Sequence, residues 1–200
     1  MSSKRGERGA SLIELMISLV IFLLAMSGLA TFLLQNARIN KAQQMTADVQ
    51  ANARNTLSVV VQKMRSAGWD PLQVGLSPLT LDPDLADDVS EIEVFADLNA
   101  DGDPDDTDEQ ILIRHTGTGK TVEWRPDNDV STPFVTLSTN ISNDADGDGT
   151  IEPMFVPDDT TNPTVITIRI TAQSPAPDPT SGQYIRYTVM SDVALRAEVS

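Results

Sequence analysis

Two acidic segments contain the side chains whose type and spacing best suit a chemical role. The first is Asp97-Leu-Asn-Ala-Asp-Gly-Asp-Pro-Asp-Asp-Thr-Asp108, in which oxygen-bearing side chains recur at alternate positions. Ca²⁺ takes about six to eight oxygen ligands from one compact wrap, and Gly102 stands sixth, where such a loop turns sharply. Asp108 stands twelfth, where a bidentate Glu is usual, and Glu109 follows it directly. The spacing predicts a calcium site in this first acidic loop, with candidate ligands Asp97, Asn99, Asp101, Asp103, Asp105 and Asp108.

The segment Asp144-Ala-Asp-Gly-Asp-Gly-Thr-Ile-Glu152 repeats the beginning of the same pattern. Gly149 stands sixth in it, but the twelfth position is Phe155, so a closing ligand must come from elsewhere, with Asp158 and Asp159 as candidates. The candidate ligands of this second acidic loop are Asp144, Asp146, Asp148 and Glu152. Predicted strands rather than helices flank both loops, so neither is an EF-hand. The alternative interpretation is that both are solvated acidic loops that bind no metal.

Charge is unevenly distributed along the chain. Residues 1–69 contain 8 basic and 3 acidic residues, whereas residues 70–200 contain 6 basic and 26 acidic ones. The acidic C-terminal region argues against a nucleic-acid partner, because phosphate contacts need Lys and Arg. Its charge favours divalent cations or basic partners, or serves solubility alone. Without metal, the crowded carboxylates of the first acidic loop should repel each other, so we expect calcium to order this loop. Mg²⁺ fits the pattern less well because it retains more of its water.

Residue types that enzymes use are scarce in this chain. It has no cysteine, and His115 is its single histidine, so zinc sites built from Cys or from several His are excluded. His115 ends a predicted strand, and we expect it at the surface of that strand rather than in a catalytic pair. No paired nucleophile and base and no phosphate-binding loop stand out, so we predict no enzymatic activity.

Residues 10–34 form an apolar segment with one charged residue, Glu14. A helix of this length rises about 1.5 Å per residue and can cross a hydrocarbon core of roughly 30 Å. The basic residues at positions 4, 5 and 8 should stay in the cytoplasm, which predicts export of the C-terminal region. No small-x-small cleavage site follows, so the segment is not typical of a cleaved secretory signal. Glu14 is costly in a membrane, which indicates a function unless it snorkels to the headgroups.

The rest of the chain must position these groups. Residues 35–68 are predicted to continue the helix as an amphipathic segment with an apolar stripe, formed by Ala42, Met45, Val49, Ala53, Leu57, Val60 and Met64. The helix should end at Gly68-Trp-Asp-Pro71, and residues 72–85 should form a loop. Strands are predicted at 90–96, 110–114, 121–124, 134–137, 164–171 and 184–190.

The expected fold class is α+β: a long N-terminal helix, half membrane-spanning and half amphipathic, packed on an antiparallel β-sheet head. The expected domains are a basic prefix at 1–9, a transmembrane helix at 10–34, an amphipathic helix at 35–68 and an acidic β-rich globular head at 69–200.

The stretch Gly9-Ala-Ser-Leu-Ile-Glu-Leu-Met16 resembles the processing motif of type IV prepilins and of type II secretion pseudopilins. The resemblance implies that residues 1–9 are a leader peptide, that prepilin peptidase cleaves after Gly9, and that Ala10 becomes an N-methylated first residue. Glu14 is then the fifth mature residue, as in this family, and residues 10–34 form a filament-core helix. Ala10 stands where the family more often has Phe, which favours a minor subunit over a major pilin.

The resemblance also gives Glu14 a role in assembly. The new amino group of Ala10 would be a cation at the edge of an apolar filament core, and a Glu14 carboxylate of a neighbouring subunit could neutralise it. Such a contact would set the axial register between subunits. The stretch Arg65-Ser-Ala-Gly-Trp-Asp-Pro71 resembles a segment that follows the long helix in minor pilins of the PilW type.

The resemblance and the composition together predict a minor pilin that is processed by prepilin peptidase and is assembled into, or primes, a type IV pilus. The implied partners are other pilins and minor pilins, contacted through the N-terminal helix, the prepilin peptidase and the inner membrane. The implied location is the inner membrane, as a single-pass protein with a periplasmic head, and then the pilus or cell surface. Two alternatives stay open: a J-type pseudopilin of type II secretion, and a membrane-anchored calcium-dependent adhesin or binding module.

Overall fold

A computed structural model gives the fold of residues 11–82, 89–104, 106, 109–127, 131–160 and 163–195. The chain divides into two compact units, Met1–Gln43 and Gln44–Ser200, which are described separately. One helix, α1, spans Leu12–Met64, a length of 53 residues. This helix and the antiparallel sheets of the second unit confirm the predicted α+β class.

In the first unit, the apolar part of α1 leaves its side chains uncovered. Every residue from Ser11 to Gln35 is exposed, including Phe22 at 58% and Leu24 at 68%. Within the described ranges, α1 is the one helix that is long and apolar enough to cross a membrane. So large a continuous apolar surface needs lipid or other apolar helices to cover it.

In the second unit, the C-terminal part of α1 packs on the sheets through one face. Val49, Ala53, Val60 and Met64 are buried in the common core, which confirms these positions of the predicted stripe. Thr56 lies on the same face and is 4% exposed. A threonine is tolerated there because its hydroxyl donates a hydrogen bond to a carbonyl one turn earlier in the helix, 2.8 Å away.

The regular helix ends earlier than predicted, at Met64 rather than at 68–71. The chain then tightens into a turn, in which the Ala67 N–H donates to the Met64 carbonyl over 3.1 Å. Gly68 takes a φ of 71°, and its N–H donates to the Phe95 carbonyl at 2.9 Å. Gly68 therefore does redirect the chain, but about one turn after the helix itself has ended.

The second unit contains two antiparallel sheets. The first sheet has five strands in sequential order: β1 Leu79–Asp82, β2 Val89–Phe95, β3 Gln110–Thr116, β4 Thr121–Arg125 and β5 Val135–Thr139. The second sheet has three: β6 Phe155–Pro157, β7 Val165–Gln173 and β8 Arg186–Ala194. Each strand pairs with the next one within its sheet.

The prediction of a loop at 72–85 is wrong in part, because β1 lies within it. Two prolines, Pro78 and Pro83, flank this short strand and give the stretch the appearance of a loop. Pairing with β2, where Leu79 is opposite Val94, makes it a strand. Strand β6 was also not predicted, since three residues are too few to show alternation. The strands form two antiparallel sheets rather than the single sheet expected.

His115 is buried, so the expectation of a surface position is wrong. Side chains alternate along β3, and His115 shares a face with Ile111 and Ile113 of the core. It is 0% exposed, and its Nε2 donates to the Ile141 carbonyl at 3.0 Å. Burial lowers the pKa of His115, and the hydrogen bond to Ile141 opposes this only in part. His115 is therefore a neutral core residue that connects β3 to the segment before the second acidic loop.

Candidate metal centre

Strands β2 and β3 bring the two ends of the first acidic loop together. Phe95 is opposite Gln110 at the end of their ladder, and one further hydrogen bond joins the Ala96 N–H to the Glu109 carbonyl at 2.9 Å. Asp97 and Glu109 therefore leave the two strands next to each other. Both side chains are buried, with Asp97 0% and Glu109 2% exposed.

Asp97 organises the first half of the loop. Its Oδ1 accepts hydrogen bonds from the N–H groups of Ala100 at 2.6 Å and Asp101 at 3.2 Å, and its Oδ2 accepts one from Gly102 at 3.1 Å. Gly102 has a φ of 96°, in agreement with the sharp turn predicted at the sixth position. These N–H groups hold the Asp97 carboxylate toward the inside of the loop.

Glu109 closes the loop from the other side. Its Oε1 accepts hydrogen bonds from the N–H groups of Leu98 at 2.7 Å and Asn99 at 2.9 Å. Its Oε2 is buried and has no hydrogen-bond partner among the described residues. Carboxylate oxygens of Asp97, Asp101 and Glu109 lie within 4.8 Å of one another. A buried carboxylate oxygen without a donor costs free energy unless a cation compensates for it.

The predicted ligands of the first loop occupy different positions in the structure. Asp97 and Asp101 belong to the carboxylate cluster. Asn99 lies beside them, because its Nδ2 donates to Asp101 Oδ2 at 2.9 Å and to Asp106 Oδ2 at 2.7 Å. Asp103 is exposed and lies outside the cluster, and its N–H donates to Asp101 Oδ1 at 3.2 Å.

Asp105 and Asp108, the ligands predicted at the ninth and twelfth positions, lie outside the described residues. Glu109 belongs to the cluster but not to the predicted ligand set. Its place directly after the twelfth position, where a Glu usually closes a calcium loop, is the signal in the sequence that could have identified it.

The second acidic loop forms a similar wrap of hydrogen bonds. Asp144 Oδ1 accepts from the Gly147 N–H at 2.6 Å, and Asp144 Oδ2 accepts from the Gly149 N–H at 3.3 Å. Asp146 Oδ1 accepts from the Asp148 N–H at 3.1 Å. Carboxylate oxygens of the three aspartates lie within 4.8 Å of one another, so the structure brings three of the four predicted ligands together.

Hydrogen bonds favour the charged form of Asp148, a member of this cluster, and of Asp158, a candidate closing ligand. The Thr150 N–H donates to Asp148 Oδ1 at 2.6 Å and lowers the pKa of Asp148. The pKa of Asp158 is lowered to about 2, first by the Thr164 hydroxyl and then by the Val165 and Thr164 N–H groups. Asp158, a candidate closing ligand, thus binds the residues that lead into β7 and is not a member of the second-loop cluster.

Arginines of the second sheet neutralise part of the second loop. Arg186, at the start of β8, places Nη2 3.7 Å from Asp144 Oδ2. Arg169, on β7, places Nη1 3.1 Å from Glu152 Oε2, so the fourth predicted ligand forms an ion pair outside the cluster. In the first loop, by contrast, none of the three clustered carboxylates forms an ion pair with a Lys or Arg of the described residues.

Glu14 lies in the first turn of α1 and is exposed. The carbonyl of Glu14 accepts a hydrogen bond from Ser18 Oγ at 2.8 Å, which satisfies this hydroxyl within the helix. A carboxylate near the N-terminus of a helix also interacts favourably with the helix dipole. Gly9 and Ala10, the predicted processing residues, lie outside the described residues.

Comparison with known proteins bears on this N-terminal region. Residues 4–30 match the family model of the prokaryotic N-terminal methylation motif. The chain carries a type IV pilin-like signal. The match confirms the resemblance seen around Gly9 and Glu14 and supports processing by prepilin peptidase. Together with the apolar part of α1, the signal fits a protein anchored in the inner membrane. No curated protein and no solved structure matches the chain.

Proposed function

We propose that this chain is a minor pilin, a structural subunit without enzymatic activity that enters or primes a type IV pilus. The observation that carries the proposal is a methylation motif at 4–30 that runs into a helix whose side chains are exposed from 11 to 35. Cleavage after Gly9 leaves this helix intact. Lipid covers its apolar surface before assembly, with the head in the periplasm, and helices of other subunits cover it in the filament.

Glu14 is the group that we propose sets the position of each subunit. Processing creates a methylated amino group at Ala10, which is a cation at the edge of an apolar helix bundle. An unpaired charge in such a medium is costly, whereas a charge that meets an opposite charge is tolerated. A Glu14 carboxylate of a neighbouring subunit supplies that opposite charge, and the pair forms at one axial offset between the two helices.

Glu14→Ala tests this role. We expect normal membrane insertion and at least a tenfold loss of subunit incorporation into filaments, because the substitution removes the acceptor of the intersubunit pair. Immunoblots of sheared filaments and of membrane fractions measure both quantities. Ser18→Ala is the matched control, since it removes a hydroxyl that bonds within its own helix, one turn away. Normal incorporation of Glu14→Ala would contradict the proposal.

The two alternative functions use the same membrane anchor but predict different phenotypes when the gene is deleted. Deletion of the gene should reduce pilus number if the chain is a minor pilin. Loss of protein secretion with unchanged pili would identify a J-type pseudopilin of type II secretion. Loss of calcium-dependent adhesion with unchanged pili and secretion would identify a membrane-anchored adhesin.

We also propose that the first acidic loop binds one Ca²⁺ ion. Asp97, Asp101 and Glu109 supply carboxylate oxygens within 4.8 Å of one another, and Asn99 lies beside Asp101. The observation that favours a cation is Glu109 Oε2, which is buried without a hydrogen-bond partner among the described residues. Ca²⁺ fits better than Mg²⁺ because it accepts many protein oxygens in a flexible geometry. Asp105 and Asp108 remain predicted ligands of the same loop.

Glu109→Gln tests the calcium site with little change of shape. The amide keeps an oxygen acceptor for the two loop N–H groups and removes the charge. We expect calcium affinity to fall at least tenfold in calorimetric titrations of the detergent-solubilised full-length chain. Glu152→Gln is the matched control, because it removes the same charge from the second acidic loop, where Glu152 pairs with Arg169 of β7. Equal affinity of Glu109→Gln and the unmodified chain, or no calcium binding at all, would refute the site.

A further inference from the structure

Asp144, the first aspartate of the second acidic loop, faces an arginine of the same chain. We propose that the Arg186 guanidinium is the resident cation of this loop, so that Ca²⁺ binds there only in competition with Arg186. The proposed calcium site of the first loop serves as the reference for affinity, but the inference does not depend on it.

The guanidinium of Arg186 lies against the backbone of the loop. Its Nη2 is 3.7 Å from Asp144 Oδ2, and the side chains of these two residues are 25% and 12% exposed. A β-carbon added to Gly147 would lie 2.5 Å from Arg186 Nη1 and 3.0 Å from its Cζ. The loop therefore accommodates the guanidinium because residue 147 has no side chain.

The second acidic loop and strand β8 are both hydrogen-bonded to β7, which places Arg186 beside the loop. The N–H groups of Ser142 and Asn143 donate to the Thr171 carbonyl at 2.9 Å and 3.3 Å, which attaches the start of the loop to β7. Gln173 of the same strand is opposite Arg186 in the β7–β8 ladder. The ion pair thus follows from the architecture of the second sheet.

A second arginine neutralises the far end of the loop. Arg169 Nη1 lies 3.1 Å from Glu152 Oε2, and the Arg169 N–H donates to the Met154 carbonyl at 2.8 Å. The residue at the ninth position of the calcium pattern is therefore held toward β7. Among the described residues, Arg186 is the Lys or Arg that forms an ion pair with one of the three clustered aspartates.

Competition between Arg186 and Ca²⁺ follows from this geometry. A metal ion among the three aspartates would use Asp144, whose Oδ2 faces the guanidinium. Two cations so close together repel each other strongly in a partly desolvated site. Binding of Ca²⁺ must therefore expel Arg186 and break its ion pair, which lowers calcium affinity at this loop.

Arg186→Gln tests the inference by removing the competing charge. In calcium titrations of the full-length chain, we expect the affinity of the second loop to rise at least tenfold, which gives a binding event that Asp144→Asn abolishes in the double variant. Arg186→Lys keeps a cation and should behave as the unmodified chain does. Arg54→Gln is the control for net charge, because Arg54 lies on α1 and contacts the Tyr187 hydroxyl rather than either loop.

Each outcome of these titrations either supports or overturns the inference. An unchanged isotherm for Arg186→Gln, or a second loop that binds calcium as tightly as the first in the unmodified chain, would overturn the inference. Gain of the same event in Arg54→Gln would overturn it too, since net charge would then suffice. If the first loop binds no calcium but Arg186→Gln shows calcium binding that depends on Asp144, the inference stands and the first-loop proposal fails.

Discussion

The two acidic loops share a ligand pattern but differ in the positive charge available to them. In the first loop, Asp97 and Glu109 are buried, and neither forms an ion pair with a described Lys or Arg. In the second loop, Arg186 and Arg169 approach from the neighbouring strands β8 and β7. We therefore propose that the first loop takes its cation from solution, whereas the fold supplies Arg186 to the second.

Under these two proposals, ligand spacing alone does not determine whether an acidic loop binds metal. Both loops wrap the backbone N–H groups around their first aspartate in the same way, Asp97 in one and Asp144 in the other. What distinguishes them is the side chain that the adjacent sheet places over the cluster. Substitutions at equivalent positions can therefore test the comparison directly.

The largest expected effect is on the stabilisation by calcium, which should differ between Asp97→Ala and Asp144→Ala. At a calcium concentration of about 100 Kd, binding to the first loop should stabilise the unmodified chain by about 2.7 kcal/mol. Asp97→Ala should eliminate this gain, and Asp144→Ala should keep it. Urea unfolding in calcium and in EDTA measures the gain. A gain that depends equally on both aspartates would mean that the loops are equivalent, contrary to the comparison.

A smaller effect concerns the pH dependence of stability, through His115, which binds Ile141 before the second loop. Burial lowers the pKa of His115 in the folded state, so below pH 6.5 the unfolded chain binds a proton that the folded chain does not. The free energy of unfolding should therefore fall as the pH falls below 6.5, by at most about 1.4 kcal/mol per pH unit from this residue. His115→Gln can still donate to Ile141 and should remove this slope. A slope that persists in His115→Gln would assign the acid sensitivity to other groups.

The smallest effect separates two glycines of the second loop. Gly147 and Gly149 have φ values of 86° and 91°, so alanine should cost about 1 kcal/mol at either position for backbone strain alone. A methyl group at 149 meets no atom within 4 Å, whereas one at 147 must displace Arg186. We expect Gly147→Ala to cost up to about 1 kcal/mol more than Gly149→Ala, the range of a partly exposed ion pair. Equal costs in thermal or urea unfolding would indicate that Arg186 is not held at the loop.

Local patterns in the sequence were sufficient to predict several features. The period of the apolar stripe identified Val49, Ala53, Val60 and Met64 as core positions of α1, because helix periodicity and burial follow the same repeat. The alternation of oxygen ligands identified both acidic loops, and the N-terminal motif, centred on Glu14, identified the pilin-like signal.

Features that depend on distant parts of the chain were not visible in the sequence. Arg186 reaches Asp144 only because β8 pairs with β7, and no local pattern connects these two residues. Glu109 joins the first cluster because the β2–β3 ladder, continued by the hydrogen bond from the Ala96 N–H to the Glu109 carbonyl, places it next to Asp97. His115 is polar but faces the core, since the alternation of β3 puts position 115 on the same side as Ile111 and Ile113.

Processing after Gly9 distinguishes a pilin subunit from a membrane-anchored protein with acidic loops. The most direct measurement is the intact mass of the protein recovered from its native membranes or filaments. We predict the mass of a chain that begins at Ala10 and carries one added methyl group. The mass of the uncut chain beginning at Met1 would contradict the proposed pathway.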